Sequence, residues 1–441
     1  MKKVGLIAVL IGSVFVGVLP SVQAAEEKLG AFSEVSTEKE WAITFNSDKI
    51  TLQDVEVELV DDKGIEQEII LEKAGHQVIV KPKLPYEYGA QYRLRAQVKN
   101  AKKSDWKQID FKTEQLKIEN PVTLARIADI TAQYEQWKPA YNGEVYSVKP
   151  SIQPPYDAGK LHDAVLTDAL NTTKLMRFIA DLPTTIQLKD RFNQEAQAAA
   201  LVNTINPSLS HYPDRPPGME TKLYELAYEG ASTSNLSKGR DSIVDSIVYG
   251  YMNDGDASNI DRVGHRMWVL SPKLNYVGFG LVTDTEGDWR TKASAMKVIE
   301  EDMYENKAAK YDYISWPAKT AMPTNYFGAS YPWSFSLNPE LYDVNYADNI
   351  DVTVTRLTDN QTWRFSEEKA EGYFHISTGN YGFLPYTIIF RPESAMAENG
   401  KASYIDYRHG ESYKVEIANV RRKNGETTTI EFETTFFTLD K

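Results

Sequence analysis

The sequence predicts a multidomain chain in which a central α+β domain lies between two all-β sandwiches. Three observations predict this arrangement. Short runs of alternating polarity fill the N-terminal region, a C-terminal region repeats their spacing, and helical periodicity dominates between them. The chain has 441 residues, which corresponds to two to four domains at roughly 100–200 residues each.

The first residues have the pattern of a secretory signal peptide. Lys2 and Lys3 precede an apolar run from Val4 to Val18, and Val22-Gln23-Ala24 places small side chains at the positions that a signal peptidase reads. The run is shorter than the roughly 20 residues that span a bilayer. We therefore expect a signal peptide over residues 1–24 and a secreted, extracellular protein, with cell-surface association left open. No later run is longer, so we expect no transmembrane segment in the mature chain.

Charge and cysteine content exclude several classes of function. The chain carries 49 Lys and Arg against 62 Asp and Glu, a net charge of −13. Nucleic acids and anionic membranes are bound by basic surfaces, so we expect no nucleic-acid partner. The chain has no cysteine, which excludes thiol catalysis and thiolate metal sites. We interpret export without cysteine as a sign of a Gram-positive bacterial source.

The N-terminal region is predicted to be a β-sandwich over residues 29–114. Residues 41–45, 55–59 and 78–80 alternate between polar and apolar side chains, and turn-forming residues separate them. Such short strands at intervals of about 8–12 residues are typical of all-β sandwiches.

The C-terminal region, residues 337–441, repeats a pattern of the first. Tyr86, Gly89, Tyr92, Leu94, Ile109, Phe111 and Thr113 recur 321 positions later as Tyr407, Gly410, Tyr413, Val415, Ile430, Phe432 and Thr434. Glycine suits a tight turn, and the aromatic and aliphatic residues suit one face of a hairpin. Both copies resemble bacterial immunoglobulin-like (Ig-like) domains. The alternative is a chance similarity between two ordinary hairpins.

Helical periodicity defines the region between the two sandwiches. Residues 122–137 predict a helix within a connector over residues 115–156. Apolar stripes predict three further helices, over residues 161–180, 188–199 and 243–251, and alternation predicts a strand over residues 276–282. Helices mixed with strands predict an α+β domain over residues 157–335.

Two of the six histidines stand in unusual surroundings. His76, His162, His375 and His409 occupy turn, strand or helix-start positions that are typical of surface histidines. His211 follows the second central helix in a loop, and His265 lies in a Gly-His-Arg sequence between apolar runs. Glu229 is a lone carboxylate among small and apolar residues. Titratable groups in such settings need partners, because unpaired burial is costly.

The order of His211, Glu229 and Gly264-His265, followed by Val277-Gly278-Phe279-Gly280, resembles the CAP family. This family is also called SCP, and its name stands for cysteine-rich secretory, antigen and pathogenesis-related-like proteins. The resemblance covers residues 157–285 and extends more loosely to 335. It implies a central three-layer α–β–α sandwich whose cleft is lined by two histidines and two acids.

Carried over residue by residue, the resemblance assigns the histidines to His211 and His265 and one acid to Glu229. The second acid is Asp254, with Asp256 as the other candidate. The chain departs from the family pattern at Gly230, where Asn is frequent, and at Arg266, where an aromatic residue is usual.

Three functions remain open from the sequence. The first is binding of a small or apolar ligand, such as a lipid, or of a cell-surface component in the cleft. The second is metal-assisted hydrolysis or peptidase activity, with Zn²⁺ or another divalent cation on His211 and His265, since imidazole and carboxylate both bind zinc. The third is an adhesive scaffold that acts through the Ig-like domains. The four cleft residues could also form only a structural hydrogen-bond network, and no catalytic residue is assigned.

Overall fold

The computed structural model describes residues 27–45, 49–99, 106–283, 292–299, 306–345, 349–394 and 403–439. The expected signal peptide, residues 1–24, lies outside these residues. The chain forms two compact units, residues 1–117 with 408–410, and residues 118–407 with 411–441. Within the described ranges, no helix is long and apolar enough to cross a membrane.

The first unit is built from seven strands: β1 (Glu27–Val35), β2 (Trp41–Thr44), β3 (Val55–Asp61), β4 (Ile69–Ala74), β5 (Gln77–Pro82), β6 (Gln91–Val98) and β7 (Lys107–Thr113). A 3₁₀ turn over Leu52–Asp54 precedes β3. The strands form two sheets, in the orders β1–β7–β6–β3 and β2–β5–β4. The first strand runs parallel to the last, and the other pairs are antiparallel.

An aromatic cluster fills the space between these two sheets. The rings of Trp41, Tyr86 and Tyr92 all lie within 5.4 Å of the Phe111 ring, measured between centroids. Aromatic side chains bury large apolar areas, and all four residues are buried. The strand order and this core make the unit an Ig-like sandwich, as the alternating sequence pattern predicts.

The second unit begins with helices and a small sheet. Its elements are α1 (Pro121–Trp137), β8 (Tyr146–Val148), β9 (Lys160–Leu161), α2 (Asp163–Ile179), β10 (Gln187–Leu188), α3 (Asp190–Ile205), α4 (Thr221–Ser232), β11 (Ser234–Lys238), α5 (Ile243–Asp245), a π-helix (Ser246–Tyr251), α6 (Gly264–Val269), β12 (Tyr276–Thr283) and β13 (Lys292–Lys297). Four strands form a sheet in the order β10–β12–β13–β11, and β8 pairs with β9. Helices α1, α2 and α3 lie where the sequence predicts them, and the predicted helix over residues 243–251 is a short α turn followed by the π-helix, whereas α4 and α6 were not predicted.

Helix α3 packs closely against β12 because two glycines leave room for it. A Cβ atom at Gly278 would lie 2.2 Å from the carbonyl carbon of Phe192, and one at Gly280 would lie 2.2 Å from the carbonyl oxygen of Ala196. Any side chain at either position would therefore displace the helix. This contact fixes α3 and the loop that follows it, which carries His211.

The remaining strands of the second unit are β14 (Tyr313–Trp316), β15 (Thr320–Pro323), β16 (Trp333–Leu337), β17 (Asp351–Arg356), β18 (Thr362–Phe365), β19 (Gly372–Ser377), β20 (Thr387–Ser394), β21 (Ser403–Tyr404), β22 (Ser412–Arg421) and β23 (Thr427–Phe437). They form two sheets, β14–β16–β20–β19 with β21 on β20, and β15–β23–β22–β17–β18. Strand β15 runs parallel to β23, as β1 does to β7. The strand order again makes this part an Ig-like sandwich.

The repeated residues occupy equivalent hairpins in the two sandwiches. Gly89 and Gly410 both have positive φ angles, of 66° and 87°, which glycine adopts without strain. The strand registers differ, because Tyr92 pairs with Phe111, whereas Tyr413 pairs with Thr434. An offset of two residues keeps every side chain on its original face. The sequence repeat is therefore a structural repeat with a shifted register.

The expectation of a central three-layer α–β–α sandwich is wrong. The chain is mostly β, with 37% strand and 22% helix, and its described residues form six sheets. Strands β15 and β16, in the region expected to complete the central domain, pair with β23 and β20 of the C-terminal sandwich instead, and β14 pairs with β16. One hydrophobic cluster extends from Ile130 in α1 to Leu439 beyond β23. The helices therefore share their core with that sandwich.

Candidate functional site

A cleft of about 280 Å³ in the second unit brings His211 and His265 together. Its lining residues are His211, Tyr212, Ser232, Ser234, Asn235, Asn259, Arg262, Gly264, His265, Trp268, Val298, Ile299 and Tyr381. They come from the loop after α3, the junction of α4 with β11, the turn before α6, helix α6 itself, the end of β13 and a loop of the C-terminal sandwich. The volume lies just below the roughly 300–1,000 Å³ that is usual for small-molecule sites.

His211 is an exposed residue whose ring is held by one backbone contact. Its Nδ1 atom lies 2.9 Å from the carbonyl oxygen of Ala231, at the end of α4. A carbonyl oxygen only accepts hydrogen bonds, so Nδ1 carries the hydrogen and donates it. Nε2 is then the unprotonated nitrogen of the neutral ring. The loop itself is held by Asn203, whose side-chain oxygen accepts the backbone N–H of Ser210 at 2.8 Å.

His265 is held from behind by the buried carboxylate of Asp254. Nδ1 of His265 lies 2.7 Å from Oδ1 of Asp254, and the backbone N–H of Arg266 donates to Oδ2 at 2.9 Å. Asp254 is 2% exposed. Both carboxylate oxygens are therefore engaged, and Nε2 is the ring nitrogen that His265 can present to the cleft. In both histidines Nε2 is thus the ring nitrogen left for a ligand.

The backbone around this pair adopts strained conformations. Asp254 and Val263 have φ angles of 50° and 42°, in the left-handed region. That region is unfavourable for a β-branched residue such as valine. Asn235 adds support, since its side-chain nitrogen donates to the carbonyl oxygen of His265 at 2.9 Å. Residues outside helix α6 therefore hold its first turn in place.

The surroundings of His265 favour its protonated form. Burial disfavours the imidazolium and is the largest influence, but the charge of Asp254 and its hydrogen bond together outweigh it. The charge of Asp256 acts in the same direction, whereas that of Arg262 opposes it. The pKa of His265 is therefore raised above its ordinary value of 6.5.

Arg266, the departure from the family pattern, joins the site to the C-terminal sandwich. Its guanidinium is fully buried and donates to the carbonyl oxygens of Met252, Asn253 and Pro332 and to Oγ of Ser334, at 2.7–3.0 Å. Burial lowers its pKa to about 10. Through these contacts the Arg266 side chain holds the turn that contains Asp254 next to strand β16.

Glu229, the other predicted cleft acid, lies with a different group of charges. Its Oε1 is 3.4 Å from Nζ of Lys297, which also lies 2.9 Å from Oε2 of the buried Glu195. The Glu229 side chain is 52% exposed, and it is not among the residues that line the cleft. The structure thus joins His211, His265 and Asp254 in one site and places Glu229 outside it.

The predicted metal ligands supply two donor atoms to the cleft. In the part of the chain that the structure describes, no three His, Cys, Asp or Glu residues form a group that could hold a metal ion. Asp254 is engaged with His265 and Arg266, and Glu229 is engaged with Lys297. A metal on His211 and His265 would need its remaining ligands from water or from a bound molecule.

One wall of the cleft comes from a loop between β19 and β20 that sequence reasoning missed. Gly382 has a φ of 62°, and a Cβ atom there would lie 2.0 Å from the carbonyl oxygen of Met267 in α6. The next ring, Phe383, packs edge-on against Trp268 at 6.2 Å. This close approach places Tyr381 beside Gly264 in the cleft. The Gly-Asn-Tyr-Gly sequence signals a turn, but nothing local signals which element it contacts.

Ser234, also missed, is a lining residue of the cleft with a buried, unpartnered hydroxyl. The residue is 4% exposed, and its Oγ has no hydrogen-bond partner among the described residues. A buried hydroxyl without a partner costs about 1–3 kcal/mol. A bound molecule with an acceptor atom would remove that cost.

Comparison with known proteins finds similar solved structures but no matching family. No protein-family model and no curated protein matches the chain. The filamin domain of Lin-41 is 18% identical and matches 20% of this chain and 87% of its own, with a TM-score of 0.14. CopC from Methylosinus trichosporium OB3b is 9% identical over 29% of this chain and 92% of its own, with a TM-score of 0.16. A chimeric titin Z1Z2 tandem is 6% identical over 99% of both chains, with a TM-score of 0.15. Scores this low support no conclusion about function.

Proposed function

We propose that this chain is an exported protein that binds a small ligand with an apolar body in the cleft between His211 and His265. The observation that carries the proposal is that both imidazoles line one cleft with their Nδ1 atoms already engaged. Each ring therefore offers Nε2 to a ligand at no cost in reorientation. Trp268, Val298 and Ile299 supply an apolar surface beside these polar atoms, the composition typical of small-molecule sites.

Two sequence observations support this proposal. The basic start and apolar run of residues 1–24 are typical of exported proteins. The order of His211, Glu229 and His265 resembles the CAP family, whose members bind ligands such as lipids in a cleft with two histidines. We carry over the binding role and the two histidines, and not the three-layer fold.

A divalent metal ion is a second candidate occupant, with hydrolysis as the function. The Asp254–His265 contact favours it, because a carboxylate behind the ring orients metal-binding histidines. His211 and His265 would hold the ion, and a bound zinc would supply an activated water. Titration with ZnCl₂ by calorimetry tests this candidate. One ion per chain, lost in His211→Ala, would support it, and no binding would exclude zinc.

Three small aromatic compounds that differ in charge test the proposal. Phenylacetate, phenylacetamide and phenethylamine share a ring for the apolar surface of Trp268, Val298 and Ile299 and differ in the charge of the head group. We expect at least one to bind with one molecule per chain in calorimetry. His211→Ala should weaken this binding at least tenfold, which is about 1.4 kcal/mol.

His375→Ala is the matched control, because His375 is an exposed histidine on β19. It should leave binding unchanged. If none of the three compounds binds, or if His211→Ala leaves the affinity unchanged, the proposed function is wrong.

A further inference from the structure

The chain carries a net negative charge, whereas the ionisable groups that line the cleft are basic. Apart from tyrosines, they are Arg262, His211 and His265, and the described lining includes no Asp, Glu or Lys. The chain has a net charge of −13, so a lining without a single carboxylate contrasts with its average composition. A cleft lined by one sign of charge attracts ligands of the opposite sign.

Arg262 supplies the permanent positive charge of this lining. Its Nη1 lies 3.2 Å from Oδ1 of Asp261 and its Nη2 lies 3.5 Å from Oδ1 of Asn259. A guanidinium has five N–H donors, so these two long contacts, its only hydrogen bonds to the described residues, leave donors for a ligand. Asp261 is 54% exposed, and an exposed pair of this kind is worth only about 0–1 kcal/mol.

The nearby carboxylates already have partners, and for Asp261 that partner is Arg262 itself. Asp254 accepts from His265 and Arg266, and Asp256 accepts from Ser258 and Asn259 within its own turn. Ser234 adds a neutral donor, because its buried Oγ lacks a partner among the described residues. Arginine and hydroxyl donors together are the groups that recognise oxyanions, with arginine able to bind two oxygens at once.

We infer that the ligand of this cleft carries a small oxyanion, a carboxylate or a group of the same charge, which binds Arg262 and Ser234 at one end of the apolar body. This inference rests on the proposed function, since it names the chemical class of the molecule that fills the same cleft. An amine head group would meet the charge of Arg262 without a carboxylate in the lining to offset it. A neutral head group would leave the arginine without a charged partner in the cleft.

The test compares the three compounds on the full mature chain near neutral pH. Phenylacetate should bind at least tenfold more tightly than phenylacetamide, and phenethylamine should bind more weakly than either. Arg262→Gln should reduce phenylacetate binding to the level of phenylacetamide and leave the amide unchanged. Arg262→Lys should restore part of the difference. Ser234→Ala should also weaken phenylacetate more than the amide.

Arg364→Gln is the matched control, since Arg364 is an exposed arginine on β18 away from the cleft lining. It should leave all three affinities unchanged. Equal binding of phenylacetate and phenylacetamide, or a preference for phenylacetate that survives Arg262→Gln, overturns this inference and leaves the proposed function intact. Unchanged binding in His211→Ala, or no binding of any of the three compounds, overturns both this inference and the proposed function.

Discussion

Asp254 and His265 are joined by a 2.7 Å contact between Oδ1 and Nδ1, and the other oxygen of the same carboxylate accepts the backbone N–H of Arg266. One buried side chain therefore orients the imidazole and holds the first turn of the helix that carries it. His265 and Arg266 are adjacent in the chain, but their side chains are held in different surroundings. His265 faces the cleft, whereas Arg266 points into the core and contacts strand β16.

Replacing Asp254 by Asn should lower the pKa of His265. Without the negative charge, burial of the ring dominates and disfavours the imidazolium. In the unchanged protein the pKa is raised above 6.5. The Asp254–His265 pair therefore contributes its full stabilisation below pH 6.5, and this contribution is lost as the pH rises through the raised pKa of His265. NMR titration of the His265 ring and urea unfolding at acid and alkaline pH measure both effects.

Asn at position 254 should remove this pH-dependent part of the stability. Exposed Asp241, 79% accessible at its side chain, provides the control, and Asp241→Asn should leave the His265 titration unchanged. An unaltered His265 pKa in Asp254→Asn would show that the carboxylate does not govern the ring.

Replacing Arg266 by Met should destabilise the second unit by more than about 3 kcal/mol, because three backbone carbonyls and Ser334 lose their buried donor. Denaturant unfolding of the second unit measures the loss. Arg364→Met, on the surface of β18, should change stability by less than about 0.5 kcal/mol. A similar small change for Arg266→Met would mean that the guanidinium contributes little to the join with the C-terminal sandwich.

Gly382 and Gly425 form a matched pair for the loop that completes the cleft. Both have positive φ, 62° and 88°, but a Cβ atom meets the Met267 carbonyl oxygen at 2.0 Å in the first and has nothing within 4 Å in the second. Gly425→Ala should cost about 1–2 kcal/mol from backbone strain alone. Gly382→Ala should cost more and should also weaken ligand binding, because Tyr381 moves. Equal costs with unchanged binding would remove this loop from the site.

The fragment over residues 157–335 should fail to fold cooperatively, although the sequence predicts it as a domain. Strand β16 pairs with β20, and Trp333 in β16 packs against Phe390, Tyr407 and Phe436. Cutting after 335 would expose these apolar surfaces. Thermal unfolding should show one cooperative transition for the fragment over residues 118–439 and none for the fragment over residues 157–335. A cooperative transition in the shorter fragment would contradict the shared core.

The sequence predicts well what depends on near neighbours. Apolar periodicity locates α1, α2 and α3 because the helical repeat is local, and Gly89 and Gly410 mark the two equivalent turns because positive φ favours glycine. His211 and His265 are identified from the residues around them. That both line one cleft depends on contacts between distant parts of the chain, and the sequence suggests it only through the resemblance to the CAP family.

What the sequence does not predict depends on distant partners. Tyr381 reaches the cleft from a strand connection more than 100 residues beyond His265, and no periodic pattern encodes that contact. Glu229 pairs with Lys297, on a strand that local patterns did not identify. The predicted three-layer sandwich failed for the same reason, since β15 and β16 pair with strands that follow them in the C-terminal region.

The most direct test of the central claim is a histidine-selective ¹⁵N NMR titration of the protein with phenylacetate and phenylacetamide. Before ligand is added, the neutral rings of His211 and His265 should carry their hydrogen on Nδ1. On binding, both Nε2 signals should shift together and saturate at one ligand concentration, while the exposed His375 stays unchanged. Nε2 signals of His211 and His265 that stay still at saturating ligand, or that respond at different concentrations, would contradict a shared binding cleft.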